Sequence, residues 1–192
     1  AAEYERMYGC RYEVIRNIAV YDANQVLPEK EKFILYQGAV NEARCFETLI
    51  PAMKAVDAPL IICGDGNFME QAKKITTDAG LNEKVLFKGM MIPAELKLQT
   101  QKAYIGITLF EPGARSNYYS LANRFFDYIH AGVPQLCVDY PVYRELNNKY
   151  EVAVLIKDTS SETIASALND LLDDRNRWER LSKNCLEAAK TW

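Results

Sequence analysis

From Phe33 onward, short apolar runs alternate with segments of helical period, and this alternation constrains the fold more than any other feature. Strand-like runs fall at residues 33–37, 60–63, 85–87, 104–110, 135–138 and 152–156. Between them, Phe46, Leu49, Ile50 and Met53 are spaced as one face of a helix, as are Phe68, Ala72, Ile75 and Ala79. Pro93 suits a first helical position, opening a helix to about residue 102, and a short helix is expected around 142–147. Two last helices carry the stripes Ile164, Leu168, Leu171, Leu172 and Trp178, Leu181, Cys185, Ala188. Strands that alternate with helices give an α/β domain with a doubly wound parallel sheet. In such sheets ligands bind outside the carboxyl ends of the strands. Those ends are the loops at Gly38, Gly64, Lys88 and Glu111, together with the stretch 118–134.

Local signals refine this outline. Pro51 inside a helix removes a backbone donor, so a kink or a shortened helix is expected there. Asn67 with Glu70 three residues later resembles a capping arrangement, and Gly80 closes that helix. Residues 3–8 read as a helix tail stopped by Gly9, and 12–16 as a short strand. The polar segment 21–32, with Pro28, reads as a linker, which places a domain boundary near 22–30.

Composition excludes several classes. The 192 residues suffice for one domain with a full core, and 49% apolar with 26% charged residues is a globular balance. A net charge of −3 argues against nucleic acid as a partner. No apolar run reaches membrane-spanning length and no signal peptide is visible. Five cysteines, without any C-x-x-C, suggest reduced thiols in a cytoplasmic protein. One histidine rules out a histidine-rich metal site, and no Asp-x-Asp pair is present for a metal bridging a diphosphate.

The stretch 118–134 is the richest in chemistry. As a helix it sets Asn123 and Asp127 on one face with Arg124 beside them, leaving Phe125, Phe126 and Ile129 for the core. A start near Leu121 would offer free backbone N–H groups to a phosphate. The alternative is an amphipathic core helix whose Arg124 and Asp127 pair in solvent. In the first loop, Arg44 is either a phosphate ligand or a surface cation. Cys45 is either a thiol activated by the helix end or a small packing residue. Gly64-Asp65-Gly66 either lets backbone approach a ligand or only turns the chain. His130 is read as packed rather than catalytic. G-x-G-x-x-G and Walker A are both absent.

Read together, Tyr36-Gln-Gly38, Arg44, Ile62-Cys-Gly64-Asp-Gly66, Val85-Leu-Phe-Lys-Gly89, Pro93-Ala-Glu-Leu96 and Asn123-Arg-Phe-Phe-Asp-Tyr-Ile-His-Ala-Gly-Val-Pro134 resemble the C-terminal half of GT-B glycosyltransferases. More narrowly, residues 33–192 resemble family 4, the retaining group 1 enzymes of bacterial polysaccharide synthesis. The resemblance implies a Rossmann-like domain over 23–192, with 1–22 as the tail of an N-terminal domain and Arg16-Asn17 at the crossing point. It implies a nucleotide-diphosphate sugar donor as partner, with no metal and no other cofactor. A glycan or lipid-linked acceptor would bind through an N-terminal half outside this chain. The implied setting is cytoplasmic, with peripheral contact at the inner membrane in the longer protein.

Residue by residue, the resemblance assigns the ribose hydroxyls to Asp127, where the family usually carries Glu. Arg44 stands at the diphosphate-binding lysine and Arg124 at a second diphosphate cation, so these two are the candidate catalytic residues. Gly38, Ala39, Gly64, Asp65 and Gly66 line the first two loops. Gly89, Met91, Ile92 and Leu96 would hold the base. Ser120, Leu121 and Asn123 lead into the helix of Asp127. The sequence departs from the family pattern at Ala39, usually arginine, at Cys45, usually glycine, and at Tyr119, usually a glutamate for the donor hexose. Glu111 is the nearby acidic substitute. The second functional reading is a non-catalytic nucleotide-sugar-binding module. An epimerase would need catalytic carboxylates and histidines, and a receiver domain an acidic pair after the first strand, which Tyr36-Gln-Gly38 lacks.

Overall fold

The computed structural model describes residues 2–192 apart from Val14, Arg16, Ala19 and Ala114, with the side chains of Ala2 and Glu3 also outside the description. The elements in chain order are α1 (Ala2–Tyr8), β1 (Ile34–Gln37), α2 (Phe46–Ala52), β2 (Leu60–Cys63), α3 (Met69–Asp78), β3 (Val85–Gly89), α4 (Pro93–Lys102), β4 (Ile105–Thr108), α5 (Arg115–Tyr118), α6 (Asn123–His130), β5 (Gln135–Val138), α7 (Pro141–Lys149), β6 (Ala153–Ile156), α8 (Ser161–Asp173) and α9 (Arg175–Ala189).

The six strands form one sheet in the order β3-β2-β1-β4-β5-β6, every pairing parallel. This is the doubly wound α/β arrangement expected from the alternation. Strands β1, β2, β4 and β5 are buried along their whole length, because helices cover both faces. Ile34 and Tyr36 face the larger core with Phe46, Leu49, Phe125 and Ile129, whereas Leu35 faces a smaller one with Ile61, Tyr128 and Val133. Strand order reverses between β1 and β4, so the loops after these two strands diverge and open a crevice there.

Several local expectations change. Helix α2 ends one residue after Pro51, giving the short helix expected. Asn67 does not cap α3, whose N-cap is Phe68 with no side-chain hydrogen bond. Instead Asn67 Oδ1 accepts from the Glu42 N–H, and its own N–H donates to Asn41 Oδ1, so it stitches two loops together. Helix α1 stops at Gly9 as read, with Gly9 at φ 66°. Tyr12, Glu13 and Ile15 are not in a strand, since this region has no neighbouring strand to pair with among the described residues; Arg16 of the expected crossing point lies outside the description. The loop read over 111–120 holds the single turn α5, and the helix expected from Leu121 starts at Asn123. The polar segment 21–32 is tied to the domain: Lys30 Nζ donates to the carbonyls of Gln101 and Ala131, both at 2.6 Å.

The strand-end glycines bring loops into contact. Gly64, at φ 142°, sits so close to Gly38 that an added Cβ would lie 1.9 Å from the Gly38 carbonyl oxygen. Gly66 is similarly pressed against the Val40 carbonyl. Gly64→Ala should therefore destabilise the domain by about 3 kcal/mol, combining a backbone clash with an unfavourable φ. Urea denaturation would show a lower midpoint at unchanged slope.

Candidate functional site

The crevice between the ends of β1 and β4 collects the residues picked out by the sequence. Helix α6 begins after Ala122, whose backbone N–H donates to the Tyr143 hydroxyl at 3.0 Å. That contact and the buried Phe125, Phe126 and Ile129 fix the helix against the sheet, so Arg124 is directed beneath the first loop. Arg124 is 8% exposed. Its guanidinium lies 4.7 Å from the centroid of the Tyr36 ring and 5.0 Å from that of Phe110. Nη1 reaches the Gln37 carbonyl at 3.4 Å and the Tyr36 hydroxyl at 3.5 Å, both long contacts. Nε and Nη2 are buried with no hydrogen-bond partner among the described residues. Cation–π attraction offsets part of the desolvation, but two charged donors are left unused. The reading of Arg124 and Asp127 as a solvent-exposed pair is therefore overturned: one is buried, and the other is held elsewhere.

Arg44 approaches the same place from the β1–α2 loop. Its guanidinium lies 4.7 Å from the Phe110 centroid, and Nη1 donates to Asn117 Oδ1 at 3.0 Å. Thus one aromatic ring carries both cations, and Asn117 from α5 aims one of them. The loop itself is wound tightly: Ala43 and Cys45 both adopt left-handed backbone, at φ 59° and 61°. Cys45 therefore keeps the conformation that favours the family's glycine at this position, while its side chain is buried. Burial pushes its thiol up to about 12, so the helix-end activation considered for Cys45 does not operate; it is a packing residue.

Asp127 is half-buried, one turn further along α6. Its Oδ2 accepts from Gln37 Nε2 at 2.9 Å. Burial raises its carboxyl above the usual value, opposed by the Gln37 hydrogen bond and by the charges of His130 and Arg124. Asp127 lines a groove of about 390 Å³ with Gln37, Met91, Pro93, Leu96 and Thr100. The structure thus brings Met91 and Leu96 together with Asp127, with an apolar wall facing a carboxylate. Ile92, the N-cap of α4, is exposed, and the Gly89 carbonyl is taken by the Gly64 N–H. Gly38 packs against Arg124 Nη1, which an added Cβ would approach to 3.3 Å. Ala39 lends its carbonyl to the Tyr36 hydroxyl. Asp65 Oδ1 accepts from the Gly66 N–H, and the Asp65 carbonyl accepts from the Val40 N–H at 3.0 Å, so both residues join the packing of the first two loops.

Upstream, Glu111 is half-buried, and burial followed by the neighbouring Glu47 carboxylate raises its carboxyl. Tyr119 is exposed, edge-on to Tyr118. Ser120 Oγ donates to the Asn117 carbonyl, Leu121 packs on the core, and Asn123 is exposed. His130 ends α6 with Nε2 2.8 Å from the Trp192 carbonyl oxygen, in keeping with the packed reading. The sequence reading missed Phe110, Asn117 and Gln37 as parts of this site. Only Gln37 left a signal: an amide at the end of an otherwise apolar strand.

The raised pKa of Asp127 has a definite sign. Its contribution to stability is present at pH below its unfolded value and is lost as pH rises through the folded one, because burial penalises the ion. Asp127→Asn should therefore raise the melting temperature of the ligand-free chain at pH 7. The gain should vanish below about pH 4, the ordinary range for aspartate.

Residues 18–191 match the family model described as glycosyl transferases group 1. A GDP-mannose-dependent alpha-(1-6)-phosphatidylinositol monomannoside mannosyltransferase of Mycobacterium tuberculosis is 26% identical over 137 residues, covering 68% of this chain and 36% of that protein. The fold is similar to that of WaaG, a glycosyltransferase involved in lipopolysaccharide biosynthesis, with TM-score 0.69, 16% identity, and coverage of 85% of this chain and 44% of that one. It is equally similar to Anabaena HepE in complex with UDP and glucose, with TM-score 0.69, 18% identity, and coverage of 83% and 44%. The chain therefore spans less than half the length of each of these relatives. With its doubly wound parallel sheet and a family match from residue 18 to residue 191, the chain belongs to the group 1 glycosyltransferases, as the C-terminal, Rossmann-like domain of a GT-B fold.

Proposed function

We propose that this domain binds a nucleotide-diphosphate sugar and supplies the leaving-group half of a retaining glycosyl transfer in bacterial polysaccharide or glycan synthesis. The observation that carries the reading is Arg124, a buried guanidinium whose Nε and Nη2 have no hydrogen-bond partner among the described residues, three positions before the Asp127 that lines the groove. A diphosphate would satisfy both donors, and Arg44 on the same Phe110 ring would meet its second phosphate. The nucleoside would lie along the groove, its base on Met91 and Leu96 and its ribose hydroxyls on Asp127. Gly38 and the neighbouring Gly64, Asp65 and Gly66 shape the floor, and the sugar would extend toward Glu111. As the glycosidic bond breaks, negative charge grows on the diphosphate, and two fixed cations stabilise it without needing a metal. The acceptor would bind to a further part of a longer protein, in a cytoplasmic setting; no described helix is long and apolar enough to cross a membrane. The UDP-bound and GDP-mannose-dependent relatives support this donor class.

Tyr119 favours a second reading, a non-catalytic nucleotide-sugar-binding module, because it is 58% exposed where the family carries a hexose-binding glutamate. Turnover of radiolabelled donor by the longer protein separates the two readings.

For binding, Arg124→Met should cut the affinity for UDP and GDP at least about 100-fold, since a charge-assisted diphosphate contact is lost. It should leave the weak binding of uridine and guanosine unchanged. Titration calorimetry reads both. Equal losses for nucleoside and nucleoside diphosphate would count against the diphosphate assignment.

A further inference from the structure

Behind Asp127 runs a chain of buried side-chain hydrogen bonds that the sugar-nucleotide reading does not itself require. Thr100 Oγ1, on α4, lies 2.6 Å from Gln37 Oε1 and 2.7 Å from the Leu96 carbonyl oxygen, so its single proton is shared between two acceptors. Gln37, at the end of β1, then donates from Nε2 to Asp127 Oδ2 on α6. Both Gln37 and Thr100 are almost wholly buried, at 4% and 3% exposed. Because an ionised carboxylate can only accept, the amide must present N–H to Asp127, which leaves its oxygen facing the Thr100 hydroxyl. Asp127 Oδ2 is thereby occupied, and Oδ1 has no hydrogen bond to any described residue. The carboxylate is fixed in rotation with one oxygen free for the groove.

We propose that Gln37 and Thr100 are positioning residues that orient Asp127 toward the two ribose hydroxyls and so set the domain's selectivity for ribonucleotides. The inference rests on the ribose role assigned to Asp127. It adds two residues from two other elements and makes the selectivity a property of the chain of bonds. Without Gln37, Asp127 would rotate freely in a half-buried groove and would lose a donor that favours its charged form. A groove that recognises the ribose diol through a fixed oxygen should reject a sugar without hydroxyls, because the carboxylate is then buried without a partner. A loosely held one should discriminate less.

The test compares binding of UDP and GDP with their 2′,3′-dideoxy analogues to the whole chain by titration calorimetry. Gln37→Leu should weaken the ribonucleotides about tenfold, the scale of one hydrogen bond to a charged group, and leave the dideoxy analogues unchanged. Thr100→Val should give a smaller loss of the same kind, and Thr100→Ser, which keeps the hydroxyl, should bind as wild type. If Gln37→Leu fails to fold, the Thr100 pair decides the matter alone. Equal loss on ribo and dideoxy forms would mean a merely structural role and would overturn the inference. So would a wild-type ratio in both Gln37→Leu and Thr100→Val while Asp127→Ala collapses it. A ratio unmoved by Asp127→Ala would overturn the ribose assignment and this inference with it.

Discussion

A buried guanidinium with no carboxylate partner among the described residues is the constraint on which the site depends. Removing a cation from water costs several kcal/mol unless its donors are used. Arg124 recovers some of this from the faces of Tyr36 and Phe110, and little from its two long contacts. Its Nε and Nη2 have no hydrogen-bond partner among the described residues. Local features around it keep that state accessible: glycine at position 38, which leaves room for Nη1, and a helix start pinned by Tyr143. The fold thus tolerates an unfavourable charge at the point where strand order reverses, where a doubly wound sheet offers a crevice.

Two chemically different walls meet there. On one side, Arg44 and Arg124 share Phe110 and present positive charge to the strand ends. On the other, Asp127 faces an apolar groove with Met91 and Leu96, its charge opposed by burial. A ligand that satisfies both needs an anionic end and a diol or similar donor end separated by a short span, with a flat apolar group beyond. That description is what connects the geometry to a nucleotide-diphosphate sugar.

Much of this was legible in the sequence. Apolar runs between turn residues placed all six strands; for β1, β2, β4 and β5 the reason is that a fully buried parallel strand needs an uninterrupted apolar segment and little else. Asp127, Arg44 and Arg124 stood out by residue type within motifs. What the sequence hid were partners distant along the chain. Asn117 reaches Arg44 across 73 positions and Gln37 reaches Asp127 across 90, and no local pattern encodes such pairs. Asn67 misled for the related reason that its side chain served a neighbouring loop instead of its own helix. Cys45 shows the limit of motif reading in the other direction: the residue departs from the family's glycine, yet the backbone keeps the left-handed turn.

The central claim is that the unused donors of Arg124 are the seat of a diphosphate. A crystal structure of this chain with UDP or GDP bound tests it most directly. The account predicts phosphate oxygens within hydrogen-bonding distance of Arg124 Nε and Nη2, about 3 Å, with Arg44 on the adjacent phosphate and the ribose against Asp127. A nucleotide seated elsewhere, or one in the groove with both Arg124 donors still unpaired, would contradict it.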